Sequence, residues 1–383
     1  MAIYVDVSSA VHQKAGLKRY TECLVDGLGP LLGDRLALFH NGGSVAKVPP
    51  SWEGLARVSV KAGYKPWRAS VWLRQLSRFW MDELLPDAQL FHATEHLLPP
   101  LGGIPTVLTV HDLVFERYPE YHKPLNYWFL RVTMPLFCRR ATAIIAVSES
   151  TKRDLVTYYG VPEAKITVIP EAAAPGFGPQ DPDRVAAVRE KLGLPDRYVL
   201  TVGTIEPRKN LGRLLESVGP LLSERLIDGL VIVGAKGWLY EAFFEALERC
   251  AWRDRVILPG FVPEEDLPSV YAGASVTAVP SLYEGFGLPV LEAMACGSPV
   301  CASEVASLPE VGGDAAAYFP PADTRAMTRC LRRVLADASL RQEMVQSGLR
   351  RAALFSWKRT ARETMDLYEQ TIEGSAPEAG PAH

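Results

Sequence analysis

Short apolar runs recur along this chain, each followed by a longer stretch that reads as helix. Runs at residues 3–7, 36–40, 90–92, 106–110 and 143–147 form a first series of buried strands. A second series falls at 166–169, 198–202, 230–233, 256–258, 275–279 and 299–302. Strands that alternate with helices predict an α/β fold of parallel, doubly wound sheets. The segment 170–183 holds Pro170, Pro175, Gly176, Gly178, Pro179 and Pro182. That density of turn formers marks it as the linker between two domains.

At 383 residues the chain exceeds one ordinary hydrophobic core, which agrees with two domains. With 48% hydrophobic and 22% charged residues it belongs among globular rather than disordered chains. A formal net charge of −3 gives no general attraction to nucleic acid. Cys23, Cys138, Cys250, Cys296, Cys301 and Cys330 are scattered without metal-ligand spacing, which predicts reduced thiols and a cytoplasmic protein. Residues 2–7 form a strand carrying Asp6 rather than a signal peptide, and no apolar run nears the roughly 18 residues of a membrane span.

The most informative stretch is Pro280-Ser-Leu-Tyr-Glu284-Gly-Phe-Gly-Leu-Pro-Val-Leu-Glu292-Ala-Met-Ala-Cys-Gly297. Gly285 and Gly287 permit a sharp turn after the strand. Pro289 suits a first helical turn, and Gly297 suits the stop. Such a turn aims backbone N–H groups and the positive end of a helix dipole at the space before Gly287 and Leu288, where an anion or a ring of hydroxyls fits. Glu284 and Glu292 bracket that space, with Glu292 near the helix start. Upstream, Gly203 ends a strand and Arg208-Lys209 begins a helix. Cations there oppose the helix dipole, which points to a bound anion. His111 and Asp112 end another strand, and Gly16 to Arg19 follow the first.

In this order and spacing the segments resemble the family 4 retaining glycosyltransferases, whose signature is two Glu separated by seven residues. The resemblance runs from residue 1 to about residue 370 and is most specific over 276–311. It implies the GT-B fold, in which two Rossmann-like domains face across a cleft. Residues 1–172 would bind the acceptor and 173–355 the nucleotide-sugar donor. A helix at 356–372, with Trp357, Met365, Leu367 and Tyr368, would return to the first domain, and 373–383 would fray. The implied reaction moves a hexose from a nucleoside-diphosphate sugar to a sugar or lipid-linked acceptor, in polysaccharide or glycolipid synthesis. No cofactor or metal is expected. The segments 116–120 and 234–240 resemble bacterial mannosyltransferases, which favours GDP-mannose over a UDP-hexose.

The resemblance also assigns roles. Arg208 and Lys209 would neutralise the diphosphate as it departs. Glu292 would accept from ribose hydroxyls, with a helix-dipole acid in the first turn as the plainer reading. Glu284 would touch the sugar hydroxyls, and the backbone of Gly285, Phe286, Gly287 and Leu288 would bind sugar and phosphate. His111 looks like the histidine that contacts the donor sugar, and Asp112 like a cap. Gly16 would wrap the diphosphate, although this chain offers Lys14-Ala15-Gly16 where the family commonly has adjacent glycines. Gly260, Phe261 and Val262 would lie against the nucleobase, and a plain strand-ending turn explains them almost as well.

Asp181-Pro-Asp183 formally matches a metal-binding pattern of another glycosyltransferase fold, but its place before a helical stretch favours N-capping. His92 and His96 straddle a strand end and do not suggest a metal. Residues 65–80 place Trp72, Leu76, Phe79 and Trp80 on one helical face, flanked by Arg68, Arg74 and Arg78. Packing inside the first domain is the default for that face. Peripheral contact with the inner face of an anionic membrane is the alternative; residues 127–131 share the ambiguity. A dinucleotide-dependent oxidoreductase would need a Gly-x-Gly-x-x-Gly after a strand, and none occurs. A non-catalytic nucleotide-sugar-binding protein of the same fold would be expected to lose Glu284, Arg208 or Lys209.

Overall fold

A computed structural model of the chain describes residues 1–12, 15–42, 48–77 and 79–375. Lys14, Arg78 and positions 376–383 of the tail lie outside them. Two compact units result. Met1–Glu116, Leu125–Glu171 and Trp357–His383 form the first, and Arg117–Pro124 with Ala172–Ser356 the second.

The first unit is built on a seven-stranded parallel sheet in the order β3-β2-β1-β4-β5-β6-β7. Its strands are β1 Ala2–Asp6, β2 Leu36–Asn41, β3 Ala56–Val60, β4 Ala88–Ala93, β5 Thr106–Val110, β6 Ala143–Ala146 and β7 Ile166–Val168. The central strands are buried along their length because helices cover both faces. The run at 166–169, read above with the second series, belongs to this sheet: Ile166 pairs with Ile144 at its edge. A three-residue apolar strand carries no mark of which sheet it will join. Edge strand β3, Ala-Arg-Val-Ser-Val, escaped the sequence reading because its residues are only half covered and polar ones interrupt the run.

The helix Trp357–Gly374 lies in the first unit, against the helix Ala15–Leu32. Gly27 allows the close approach, since a Cβ there would sit 2.9 Å from Ala361 Cβ. Tyr368 Oη and His92 Nδ1 are 2.5 Å apart, and Thr360 Oγ1 donates to Pro170 O at 2.8 Å.

The helix Tyr64–Ser77 corrects the default reading of the aromatic segment. It buries Trp67, Val71 and Gln75, a stripe spaced four apart. Trp72, Leu76, Phe79 and Trp80 are exposed by 36%, 64%, 68% and 49%, and the last two lie beyond the helix end. A hydrophobicity pattern chooses the wrong face here because polar Gln75 is buried. Its amide donates to Leu98 O at 2.8 Å, and Arg140 donates to its side-chain and backbone carbonyls.

The second unit holds a six-stranded parallel sheet in the order β10-β9-β8-β11-β12-β13. Its strands are β8 Tyr198–Val202, β9 Gly229–Val233, β10 Val256–Gly260, β11 Val276–Val279, β12 Val300–Ser303 and β13 Ala316–Phe319. Edge strand β13 was not anticipated; only Phe319 of its four residues is fully buried. From β8 the chain winds outward to β10, then returns to β11 on the other side of β8. The loops after β8 and β11 therefore diverge at the carboxyl edge, the position where open α/β sheets bind ligands.

Candidate active site

The loop after β8 carries Gly203 and the 3-10 turn Pro207–Lys209. The loop after β11 carries Glu284 and leads into the helix Leu288–Ala295. Leu282 N donates to Arg208 O at 2.8 Å, and Asn210 Nδ2 donates to Pro280 O at 2.9 Å. These bonds hold the two loops together. Arg208 Nη1 donates to Glu284 Oε2 at 2.6 Å and to Tyr283 O at 2.9 Å, while its Nη2 donates to Glu206 Oε1 at 2.7 Å. Lys209 Nζ and Ser281 Oγ each donate to Glu284 Oε1 at 2.6 Å.

Two cations and two carboxylates thus alternate at this edge, and Glu284 is only 7% exposed. Burial alone would raise the Glu284 carboxyl, but the charges of Arg208 and Lys209 and the hydrogen bonds from Lys209 and Ser281 hold it down to about 2. The basic pair does not begin the long helix, which starts at Leu211. The mismatch between cations and a helix start is answered within the chain by Glu206 and Glu284.

Two glycines are required by this geometry. Gly203 has φ +149°, and a Cβ on it would meet Lys209 Cε at 3.0 Å, so the lysine stem lies over bare backbone. Gly287, at φ +108°, precedes the helix, and a Cβ there would meet Leu308 Cδ2 at 2.8 Å. No side chain caps that helix start. Ser307 Oγ pins the turn through Glu284 O at 2.9 Å and Phe286 O at 2.6 Å.

In the first unit, His111 follows β5. Its Nδ1 is 3.0 Å from Glu171 Oε1 and its Nε2 is 2.9 Å from Thr94 O. Both partners are acceptors, an arrangement that a ring protonated on both nitrogens satisfies. Burial pushes its pKa down, yet the hydrogen bond and charge of Glu171, the Thr94 carbonyl and Asp112 outweigh burial and leave it raised. The Tyr20 ring meets it edge-on at 4.6 Å. The backbone carbonyl of His111 accepts from Thr151 Oγ1 at 3.2 Å. Asp112 Oδ1 accepts from Val114 N at 3.1 Å, the contact of a local cap.

Residues 16–173 match the family described as Glycosyltransferase Family 4, and residues 196–337 match that described as Glycosyl transferases group 1. The chain is 35% identical over 265 residues to an O-antigen chain mannosyltransferase B of Escherichia coli, covering 69% of this chain and 70% of the relative. The chain belongs to the family 4, group 1 glycosyltransferases. Solved structures show the same GT-B fold. A sucrose-phosphate synthase from Thermosynechococcus elongatus matches with a TM-score of 0.77 at 21% identity, covering 98% of this chain and 100% of that one. Anabaena HepE in complex with UDP-glucose matches with a TM-score of 0.73 at 18% identity, over 97% and 100%.

In this glycosyltransferase the remaining candidates fall as follows. Glu292 lies in the second turn of its helix rather than the first, 2% exposed, and accepts from Tyr271 Oη at 2.8 Å. The plainer reading of a first-turn dipole acid is therefore set aside. Phe286 is buried against Phe355, with ring centroids 5.9 Å apart, and Leu288 is half-buried. Gly260 ends β10 with φ +75°, Phe261 is 80% exposed, and Val262 is buried in packing. Gly16 is exposed in the first turn of its helix, in the first unit with His111. Asp181 Oδ1 accepts from Asp183 N at 2.8 Å and caps the helix Pro182–Leu192.

The sequence reading missed Glu171, Glu206 and Ser307. Glu171 stands in the segment taken as linker, Glu206 directly precedes the basic turn, and Ser307 lies within 276–311 but beyond the turn and helix read there. The signals available were the spacing of Glu206 two residues before Arg208 and the place of Ser307 within 276–311. Glycosyltransferase segments 117–124 and 234–240 also meet within the second unit, where Trp238 Nε1 donates to Tyr121 O at 2.5 Å.

Proposed function

We propose that the chain transfers mannose from GDP-mannose, with retention of anomeric configuration, to a hydroxyl of a growing polysaccharide or glycolipid. The observation that carries transfer from a nucleoside-diphosphate sugar is the Lys209–Glu284–Arg208 cluster at the switch point of the second sheet, beside a helix start without a side-chain cap. Arg208 is spent largely on Glu206, Glu284 and Tyr283 O and acts as the brace of both loops. Lys209 has three N–H groups, of which Glu284 takes one, so it is the cation that reaches the diphosphate as the leaving group departs. The sugar then lies against Glu284 and the turn 285–288, the ribose against Glu292, and the base beside Gly260 and Phe261.

Residues 173–355 are the donor domain and 1–172 the acceptor domain, where His111, with its ring nitrogens held by Glu171 and Thr94 O, offers a fixed positive charge rather than a free N–H. Among the described residues no helix is long and apolar enough to cross a membrane. We place the enzyme in the cytoplasm, which suits its free cysteines. The mannosyl lean rests on the O-antigen chain mannosyltransferase relative; HepE bound to UDP-glucose supports a UDP-hexose as the second reading. Calorimetry against GDP-mannose, UDP-glucose and UDP-galactose decides the donor: tight binding of a UDP-sugar with none of GDP-mannose rejects the first reading. The anomeric coupling of the purified product, read by NMR, tests retention.

Transfer is expected to persist in EDTA, because Lys209, the helix start and backbone amides already supply positive potential. Activity abolished by EDTA and restored by magnesium or manganese would contradict this. Glu292→Ala is expected to weaken GDP-mannose binding by about 1.5–3 kcal/mol, the scale of a hydrogen bond to a charged group. It also removes the carboxylate that accepts from the buried Tyr271 hydroxyl, so Tyr271→Phe is the control for packing. Equal nucleotide affinity in wild type and Glu292→Ala would take Glu292 off the ribose and leave it a packing role beside Tyr271.

A further inference from the structure

Two adjacent helices of the first unit leave an apolar seam uncovered. Arg68 of Tyr64–Ser77 donates to Asn126 Oδ1 through Nη1 and Nη2, at 3.2 and 3.1 Å, and its guanidinium lies 3.8 Å above the Phe129 ring. Asn126 and Phe129 belong to the helix Pro124–Arg140. Farther along, Arg140 Nη2 donates to Gln75 O at 3.0 Å, so the helices lie side by side. Trp72 and Leu76 follow Arg68 at four and eight residues, on its stripe, while Leu125 and Val132 flank Phe129 at four before and three after, on its stripe. These two stripes adjoin. Leu125 is 89% exposed, Leu76 64%, Trp128 61% and Val132 55%. So many large apolar side chains on one face exceed the scattered exposure normal for a soluble surface.

The charge around the seam says what covers it. Neither helix contains Asp or Glu, yet together they carry Lys65, Arg68, Arg74, Arg131, Arg139 and Arg140, in a chain whose net charge is −3. Arg131 is paired with Glu116 at 3.1 Å; Lys65, Arg74 and Arg139 are exposed. A second copy docked through a two-fold axis would set this basic rim against itself. A lipid interface instead takes tryptophan and leucine at the headgroup boundary and arginine and lysine at the phosphates.

We propose that this seam seats the protein on an anionic bilayer surface. The proposal does not rest on the catalytic reading, and its test measures no activity. The full chain is sedimented with phosphatidylcholine vesicles and with vesicles of equal parts phosphatidylcholine and phosphatidylglycerol, at low and high salt. Binding to the anionic vesicles is expected to be stronger by about tenfold or more and to weaken with salt. Trp72→Ser with Leu76→Ser, and separately Leu125→Ser with Trp128→Ser, are expected to lower it about tenfold or more. Both pairs lie on the surface, so thermal melts should match wild type. Leu354→Ser, which changes a side chain 58% exposed in the second unit, is expected to bind as wild type. The proposal fails if the wild type ignores both vesicle types, binds them equally, or binds no better than the seam variants. It also fails if light scattering shows a dimer that the seam variants return to monomer while vesicle binding is absent.

Discussion

Arg208→Ala is expected to lower turnover by about 10²-fold or more and to destabilise the second unit by about 3–5 kcal/mol. The second effect arises because one guanidinium serves two carboxylates. Without it, Glu206, whose side chain is 2% exposed, loses its ion pair and Glu284 keeps only Lys209 and Ser281. Breaking a buried pair from one side leaves an uncompensated charge, which costs more than the pair contributes to stability. The loop after β11 also loses the donor that holds Tyr283 O.

Lys209→Ala separates chemistry from support, since Arg208 still neutralises Glu284. Its turnover is expected to fall on the same scale, about 10²-fold, with a much smaller change in stability. Normal kinetics in a folded Lys209→Ala protein would remove the lysine from the diphosphate. The pH dependence carries a further sign. Glu284 titrates below its ordinary 4.5, at about 2, so the cluster stabilises the fold above the ordinary value and stops doing so as pH falls through the lower one. Urea melts should show the gap between wild type and Arg208→Ala narrowing over that interval.

Glu171→Gln is expected to lower stability by about 1.5–3 kcal/mol near neutral and mildly acidic pH, where the His111 imidazolium donates to a carboxylate. The His111 pKa is raised in the fold. Its contribution is therefore complete below the ordinary value of 6.5 and is lost as pH rises through the folded value. The deficit of Glu171→Gln should thus be larger at about pH 6 than at about pH 9. An equal deficit at both would mean that His111 is neutral and that Thr94 O and Glu171 do not both receive a ring proton.

The sequence by itself determined the repeating strand and helix units, because a strand buried on both faces must read as an unbroken apolar run whatever surrounds it. It determined the turn at Gly287 and the helix stop at Gly297 by backbone sterics, since both glycines take positive φ, but it read 208–209 as a helix start where the chain makes a 3-10 turn instead. Edge strands β3 and β13 were not legible, since their half-exposed residues carry no such run, nor was the sheet that β7 would join. Only the tertiary structure decided that Arg208 and Lys209 close on Glu284, some 75 residues away along the chain, and that Glu206 shares the guanidinium. It alone brought Glu171 to His111 and buried Gln75 while leaving Trp72 and Leu76 in solvent. Local periodicity records which residues share a face. Which face is covered depends on what packs there, and a buried polar group is tolerated only where distant atoms complete its hydrogen bonds.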